Sequence, residues 1–348
     1  MNQKTKEFKN LLEYYKFTKK DEGEYPVISG ILESLTPERI KREIEEIKRV
    51  KLPPELQKWV EEYEKAGERN RFFWKFIYKL NEIINPFSFT KKSVINVKIL
   101  LVMLIVLIDD VAEKPQDTEL LKDLLKIPLD NRNLRKTNLT IREKDYLSFS
   151  IRLWQFIQKK IQKYDNYKKF QEIFYYDVKQ VLNAIEYSHL VNRNLFLINR
   201  TEYWTYAPYT MQGMINYMLD IMYASNVDIK EMGLTREIFL RAQKLARIAN
   251  CLATWQREIA ESDLDNGVLI YAMESKIISV QDLKKPEELI IKKIRNSNIE
   301  KIFLQEWEGY YEELRVLCAK TEIINSRKFL SQLKKLFFMY LVIGNLGR

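Results

Sequence analysis

Apolar side chains recur every three to four residues along nearly the whole chain, and this period constrains the fold more than any other feature. Such spacing puts the apolar residues on one face of a helix. The pattern predicts helices over residues 36–50, 56–66, 70–84, 94–108, 119–126, 141–164, 167–191, 209–224, 235–262, 282–297, 302–320 and 326–343. No convincing strand hairpin occurs between them. We therefore predict an all-α bundle with the most apolar helix, 94–108, at its centre.

The length of 348 residues would allow two domains, but no stretch rich in Pro, Gly or Ser divides the chain. Only nine glycines are present, and neither a GxGxxG nor a GxxxxGK[ST] pattern occurs. Both facts argue against a βαβ nucleotide-binding architecture. We predict a single α-helical domain over residues 1–348, in which residues 1–30 form a loose N-terminal segment.

Two features bear on location and on partners. Residues 1–20 are charged and lack the apolar segment of a signal peptide, and the longest apolar run, 99–108, is about half as long as a membrane span. We therefore expect a cytoplasmic protein without stable membrane insertion.

The net charge of +10 comes from 58 basic and 48 acidic residues without a dense arginine block. A solvated Lys/Glu-rich surface explains this better than a nucleic-acid partner does.

The supply of metal ligands is restricted. One histidine and two cysteines cannot build a His-rich zinc or iron site, an iron–sulfur cluster or a zinc ribbon. Any metal would be held mainly by carboxylate, amide or hydroxyl oxygens, which are the ligands that Mg²⁺ and Mn²⁺ prefer.

An acidic motif follows the most apolar predicted helix. Asp109 and Glu113 are four residues apart and share a helix face, with Asp110 beside them. Carboxylates at the negative end of a helix dipole are unfavourable unless a cation is bound there. The motif therefore indicates a metal site, although an acidic helix end in solvent is the simpler explanation for it alone.

A second set of oxygen donors lies on the predicted helix 235–262. Asn250, Thr254 and Glu258 follow one another at intervals of four residues, so they form one stripe of the helix. Arg257 is adjacent and has the guanidinium geometry that grips phosphate. A solvated helix face is the alternative for this pattern alone. An apolar helix that ends in DDxxE, paired with this stripe, favours metal-bound phosphate chemistry.

These residues resemble a microbial, bacterial-type class I terpene synthase. The aspartate-rich motif of that family corresponds to Asp109, Asp110 and Glu113, and its N-D-x-x-S-x-x-R-E motif corresponds to Asn250, Thr254, Arg257 and Glu258. The resemblance implies Mg²⁺, with Mn²⁺ as an alternative, held by five residues: Asp109, Glu113, Asn250, Thr254 and Glu258. Together with Asp110, these would form the catalytic set. The resemblance to the family extends from about residue 53 to the C-terminus. Within it, residues 201–210 resemble the entry into the kinked active-site helix of the family.

The chain also departs from the family pattern. Trp204 and Tyr206 stand in the region where the family has an arginine that senses diphosphate, so Arg200 is the nearest candidate for diphosphate binding and Arg193 the next. Many bacterial members end in an Arg-Tyr pair, which residues 344–348 do not contain.

The resemblance implies a reaction. A linear prenyl diphosphate, either farnesyl or geranylgeranyl diphosphate, would lose diphosphate to give an allylic carbocation that cyclises to a terpene. Such a cation needs a dry pocket with aromatic walls. We expect the aromatic residues to come from a set of four: Phe73, Trp204, Tyr206 and Trp307. Ordinary core packing is the alternative for each of them. The single histidine, His189, is expected to have no chemical duty.

Two other functions stay open. A chain-elongating prenyl diphosphate synthase shares the helical fold but normally carries two DDxxD motifs. A non-catalytic, basic helical binding scaffold would need no recurrent oxygen donors. Each of the functions considered is compatible with a homodimer.

Overall fold

The computed structural model describes residues 11–87, 89–130, 134–135, 137–225 and 229–344. Within these ranges the chain forms α-helices, short 3₁₀ turns and no strand. The α-helices are α1 (Leu11–Tyr14), α2 (Lys19–Glu24), α3 (Pro26–Glu33), α4 (Pro37–Lys48), α5 (Pro54–Ala66), α6 (Arg71–Ile83), α7 (Lys92–Ala112), α8 (Thr118–Lys126), α9 (Ile141–Ile161), α10 (Tyr167–Arg193), α11 (Arg200–Tyr206), α12 (Gly213–Tyr223), α13 (Met232–Glu261), α14 (Gly267–Glu274), α15 (Glu287–Asn296), α16 (Ile299–Cys318) and α17 (Ser326–Ile343).

Helix α7 is the central element. It is apolar on nearly every side and buried along almost its whole length, and α6, α9, α10 and α12 pack around it. A helix that is hydrophobic all round must be covered on all sides. The pattern over residues 94–108 predicted this position. Within the described ranges, no helix is both long enough and apolar enough to cross a membrane.

The N-terminal helices are attached to α16. The carboxylate of Glu308 accepts hydrogen bonds from the backbone N–H groups of Val27 (2.9 Å) and Ile28 (2.8 Å) at the start of α3. Negative charge is favourable there because the first N–H groups of a helix have no partner within it. Lys301 of α16 also pairs with Asp21 at 2.7 Å. Of the expected loose segment 1–30, residues 11–30 thus form α1, α2 and the start of α3 with short connections between them, and residues 1–10 lie outside the described residues.

The predicted helix 209–224 is interrupted. A 3₁₀ turn covers Ala207–Met211, Gln212 has a left-handed backbone (φ 60°), and α12 begins only at Gly213. A Cβ atom at Gly213 would lie 2.9 Å from the Cβ of Gln243, so the break lets two helices approach closely. This interruption directs the side chain of Gln212 toward the cavity described below.

Candidate active site

A cavity of about 290 Å³ lies between α6, α7, α12, α13 and α17. Its wall is mostly aromatic and aliphatic, and includes Phe73, Phe76, Ile105, Phe239, Phe329 and Tyr340. Such a wall offers an apolar ligand a dry environment and offers a cationic one several aromatic faces. Of the aromatic residues expected from the sequence, Phe73 lines this cavity.

Both sequence motifs meet at this cavity. Asp109 and Glu113 line it from the C-terminal end of α7. Asn250, Thr254 and Glu258 line it from α13, about 140 residues later in the chain, and Arg257 lies beside them. The rim also includes Arg69, Arg247, Asp263 and Asp265, which we did not predict from the sequence. The structure therefore brings all five predicted metal ligands to one opening.

Asp110 is separated from its neighbour Asp109. Its side chain is fully buried, accepts a hydrogen bond from Tyr63 Oη at 3.1 Å, and forms an ion pair with the guanidinium of Arg69. It does not line the cavity. Successive residues on a helix point about 100° apart, so Asp109 faces the cavity and Asp110 faces the protein. In this structure Asp110 therefore holds Arg69 and does not border the cavity with the other five members of the predicted catalytic set.

The carboxyl groups at the rim are buried close to one another. Burial and the nearby Asp263 raise the pKa of Asp109 to about 7, and the same causes raise the pKa of Glu113 well above its usual range. Burial raises the pKa of Glu258 and, with Asp263 adding to it, raises the pKa of Asp265 to about 8. Buried like charges are unfavourable unless a cation neutralises them. The rim therefore favours a bound cation.

The donor set suits a hard cation, although it is not a preformed cage. Every predicted ligand offers oxygen, which is the preference of Mg²⁺ and Mn²⁺. In the part of the chain that the structure describes, no group of three or more His, Cys, Asp or Glu side chains is close enough to hold a metal by itself. A site of this kind would be completed by water and by phosphate oxygens, as Mg²⁺ sites usually are.

Hydrogen bonds orient the donors on α13. Thr254 Oγ1 donates to the carbonyl of Asn250 at 2.8 Å, and Asn250 Oδ1 accepts from Arg247 at 3.2 Å. The side-chain amide of Asn266 donates to Glu258. These contacts leave lone pairs on each oxygen, so the stripe is held in place and still able to bind a cation.

Three arginines stand at the rim. The Nε atoms of Arg69 and Arg257 are buried and have no hydrogen-bond partner among the described residues. Arg247 is instead fully engaged: it donates to Tyr203 Oη at 2.8 Å and to the backbone and carboxylate of Asp265. Arg247 lies one helical turn before Asn250, a spacing that the sequence analysis overlooked. Arg69 precedes α6 and carries no sequence signal of its own.

The predicted diphosphate ligand Arg200 does not line this cavity. It lies at the start of α11, its side chain is about half exposed, and it pairs with Glu274 and covers the ring of Tyr271 at 4.5 Å. Arg193, the second candidate, donates to Thr118 Oγ1. Both prefer these local partners because they lie on the outer faces of their helices, so this prediction is corrected.

Three of the predicted cavity aromatics also lie outside the lining. Trp204 packs on Tyr203 and Phe303, and Tyr206 packs on the ring of Tyr187. Trp307 is stacked on Tyr311. Each fills the space between helices, which is the usual use of aromatic side chains.

His189 is buried outside the cavity lining. Its Nδ1 lies 2.8 Å from the carbonyl of Ala112, and its Nε2 lies 3.0 Å from Thr118 Oγ1. The ring therefore secures the end of α7.

The part of the cavity away from the rim contains buried polar groups. Lys98 Nζ lies 2.6 Å from Asp220 Oδ2, and Thr90 donates to Asp220 Oδ1 at 2.8 Å. Gln212 and Asn216 also line the cavity. The sequence analysis did not single out any of these residues. The sequence of one helix does not show which residues of the neighbouring helices lie opposite its polar side chains.

No protein-family model matches the sequence, and no curated protein matches it either. Among solved structures, the chain is similar to isoprene synthase from grey poplar leaves (Populus x canescens), with a TM-score of 0.54 and 15% sequence identity. The fold is that of a terpene synthase. The match covers 91% of this chain and 54% of the poplar chain, so this protein spans about half the length of that neighbour. The predicted all-α fold is confirmed, and the single-domain organisation stays a prediction.

Proposed function

We propose that this protein is a Mg²⁺-dependent class I terpene synthase of the microbial type. It would ionise farnesyl or geranylgeranyl diphosphate to an allylic carbocation, which cyclises to a terpene as diphosphate is released. One observation carries the proposal: the DDxxE motif and the Asn250–Thr254–Glu258 stripe border the same apolar cavity. A solvated helix face, the alternative for each motif alone, would not bring them together around one cavity with aromatic and aliphatic walls.

The residues present fit a divalent cation. Asp109 and Glu113 would hold it from α7, and Asn250, Thr254 and Glu258 would hold it from α13. When bound, Mg²⁺ or Mn²⁺ supplies the positive charge that stabilises a departing diphosphate. The pKa of Asp109 is raised because its charged form is buried near other carboxylates, and a bound cation would relieve this repulsion.

Residues of the protein would bind the diphosphate and exclude water from the cavity. Arg257 and Arg69 have guanidinium N–H groups at the rim that suit phosphate oxygens. Arg247 and Asn266 orient the stripe on α13 without needing to touch the substrate. Below the rim, the rings of Phe73 and its neighbours exclude water and attract positive charge.

Product analysis tests this proposal. Purified protein is incubated with farnesyl and with geranylgeranyl diphosphate in the presence of Mg²⁺, and the organic extract is examined by gas chromatography and mass spectrometry. We expect a cyclic terpenoid from at least one substrate. Products that need added isopentenyl diphosphate would instead indicate a chain-elongating synthase, and unconsumed substrate would indicate a binding scaffold.

Thr254 provides a graded prediction. Thr254→Val keeps the shape of the side chain but removes the hydroxyl oxygen, so the Mg²⁺ concentration needed for half-maximal diphosphate release should rise about 10- to 100-fold. Thr254→Ser restores the oxygen and should return the midpoint to near the wild-type value. A Mg²⁺ titration of all three proteins measures this, and equal midpoints for valine and serine would contradict a ligand role.

A further inference from the structure

A polar stripe crosses the cavity wall away from the rim. Gln212, Asn216 and Asp220 follow one another at intervals of four residues along the start and body of α12, and all three line the cavity. The backbone N–H of Asn216 donates to the carbonyl of Gln212 at 3.0 Å, so Gln212, with its left-handed backbone, caps the start of α12. Asn216 and Asp220 lie one turn apart on α12 and share one helix face.

The Asp220 end of the stripe is distant from the predicted metal ligands. Lys98, the partner of Asp220, precedes Asp109 by eleven residues on α7. At a rise of 1.5 Å per residue, this corresponds to about 16 Å along the helix axis. A prenyl chain whose diphosphate is bound at the rim would extend toward this stripe.

Two amide oxygens in the stripe lack partners. Gln212 is 5% exposed, and its Oε1 atom and the Oδ1 atom of Asn216 are buried without a hydrogen-bond partner among the described residues. Buried polar atoms are almost always satisfied, so two unpartnered amide oxygens on residues that both line the cavity require an explanation. The left-handed backbone of Gln212 (φ 60°) is a second unfavourable feature at the same place.

We infer that Gln212 and Asn216 hold a water molecule that captures the final carbocation, so that the product is a terpene alcohol. This inference rests on the proposed function. A water needs two to four polar partners to occupy a buried position. Here it donates its two hydrogens to the amide oxygens, and one lone pair then faces the cavity.

The step balances without a further reactant. The lone pair of the water forms a C–O bond with the cation, and one O–H bond of the resulting oxonium breaks. The O–H group that was hydrogen-bonded to Asn216 turns to the carboxylate of Asp220, one helical turn further along α12, which takes the proton and later releases it to solvent. Lys98 and Thr90 each donate to one oxygen of that carboxylate. These hydrogen bonds reduce its tendency to attack the cation itself, while the remaining lone pairs can accept a proton.

Isotope labelling of the wild-type protein tests the inference. The reaction is run with Mg²⁺ in H₂¹⁸O with the prenyl diphosphate that is consumed, and both diphosphate release and extract are analysed. We expect an alcohol that carries one ¹⁸O on carbon. Diphosphate release with hydrocarbon products alone would overturn the inference and leave the proposed function intact. Absence of diphosphate release would overturn both.

Matched leucine variants locate the water. Asn216→Leu keeps a similar side-chain volume and removes one partner of the water, so the ratio of alcohol to hydrocarbon should fall about tenfold. Asn81 also lines the cavity, but its amide donates to the carbonyl of Ile77 on its own helix. Asn81→Leu should therefore keep the wild-type product ratio. Equal ratios in both variants would contradict the assignment, and the labelling result is independent of whether either variant folds.

Discussion

Replacing Asp109 with asparagine is expected to lower diphosphate release by about 100-fold or more, with no loss of stability. The side chain faces the cavity, where it would hold the cation that stabilises the leaving group. Burial and the neighbouring Asp263 already raise the pKa of Asp109 to about 7, so a neutral amide relieves repulsion in the protein without metal. Release assays and urea unfolding measure the two effects separately.

The adjacent substitution Asp110→Asn is the matched control. It removes the buried counter-charge of Arg69, and breaking a buried ion pair costs about 3 kcal/mol or more. We therefore expect a large fall in the free energy of unfolding. Similar stability losses in both variants would contradict the different roles that the structure gives to these two neighbours.

The second large effect is expected at Arg247. Arg247→Met leaves the backbone carbonyl and carboxyl group of Asp265 buried without their hydrogen-bond donor and removes hydrogen bonds to Tyr203 and Asn250. Because several buried acceptors lose their donor together, we expect the free energy of unfolding to fall by about 3–5 kcal/mol. Diphosphate release should also fall in the fraction that stays folded, because Asn250 loses a contact that orients it. Denaturant unfolding and release assays below the unfolding midpoint measure this.

Arg200→Met provides the comparison for Arg247. The half-exposed pair of Arg200 with Glu274 should contribute no more than about 1 kcal/mol. Diphosphate release should stay near the wild-type rate, since Arg200 lies outside the cavity lining. A collapse of release in this variant, with stability retained, would return Arg200 to the diphosphate site.

The helical period was sufficient to predict the architecture. It located most helices from residue 36 onward, including the predicted helix 326–343, which coincides with α17, but it missed the short helices α11 and α14. It also identified α7 as the central helix, because a helix without a polar face has to be buried. The period failed where a backbone break or a distant partner decides the structure. Gln212 interrupts one predicted helix, and Glu308 holds the start of α3 across the sequence.

The candidate site was predictable only in part. The spacing of Asn250, Thr254 and Glu258 placed them on one stripe, and the structure places that stripe at the cavity. Nothing in the spacing of Asp109 and Asp110 shows which of them meets Arg69, since that residue is about 40 positions away. The composition likewise could not separate the aromatic residues of the wall, such as Phe73, from those of the core, such as Trp307.

The most direct test of the central claim is the release of diphosphate from farnesyl and geranylgeranyl diphosphate by the wild-type protein, Asp109→Asn and Asn250→Ala, each with Mg²⁺ and with EDTA. The two substitutions remove one proposed ligand from each motif. We predict release only by the wild-type protein and only with Mg²⁺. Release that persists in EDTA, or in either variant at the wild-type rate, would contradict a metal site shared by the two motifs.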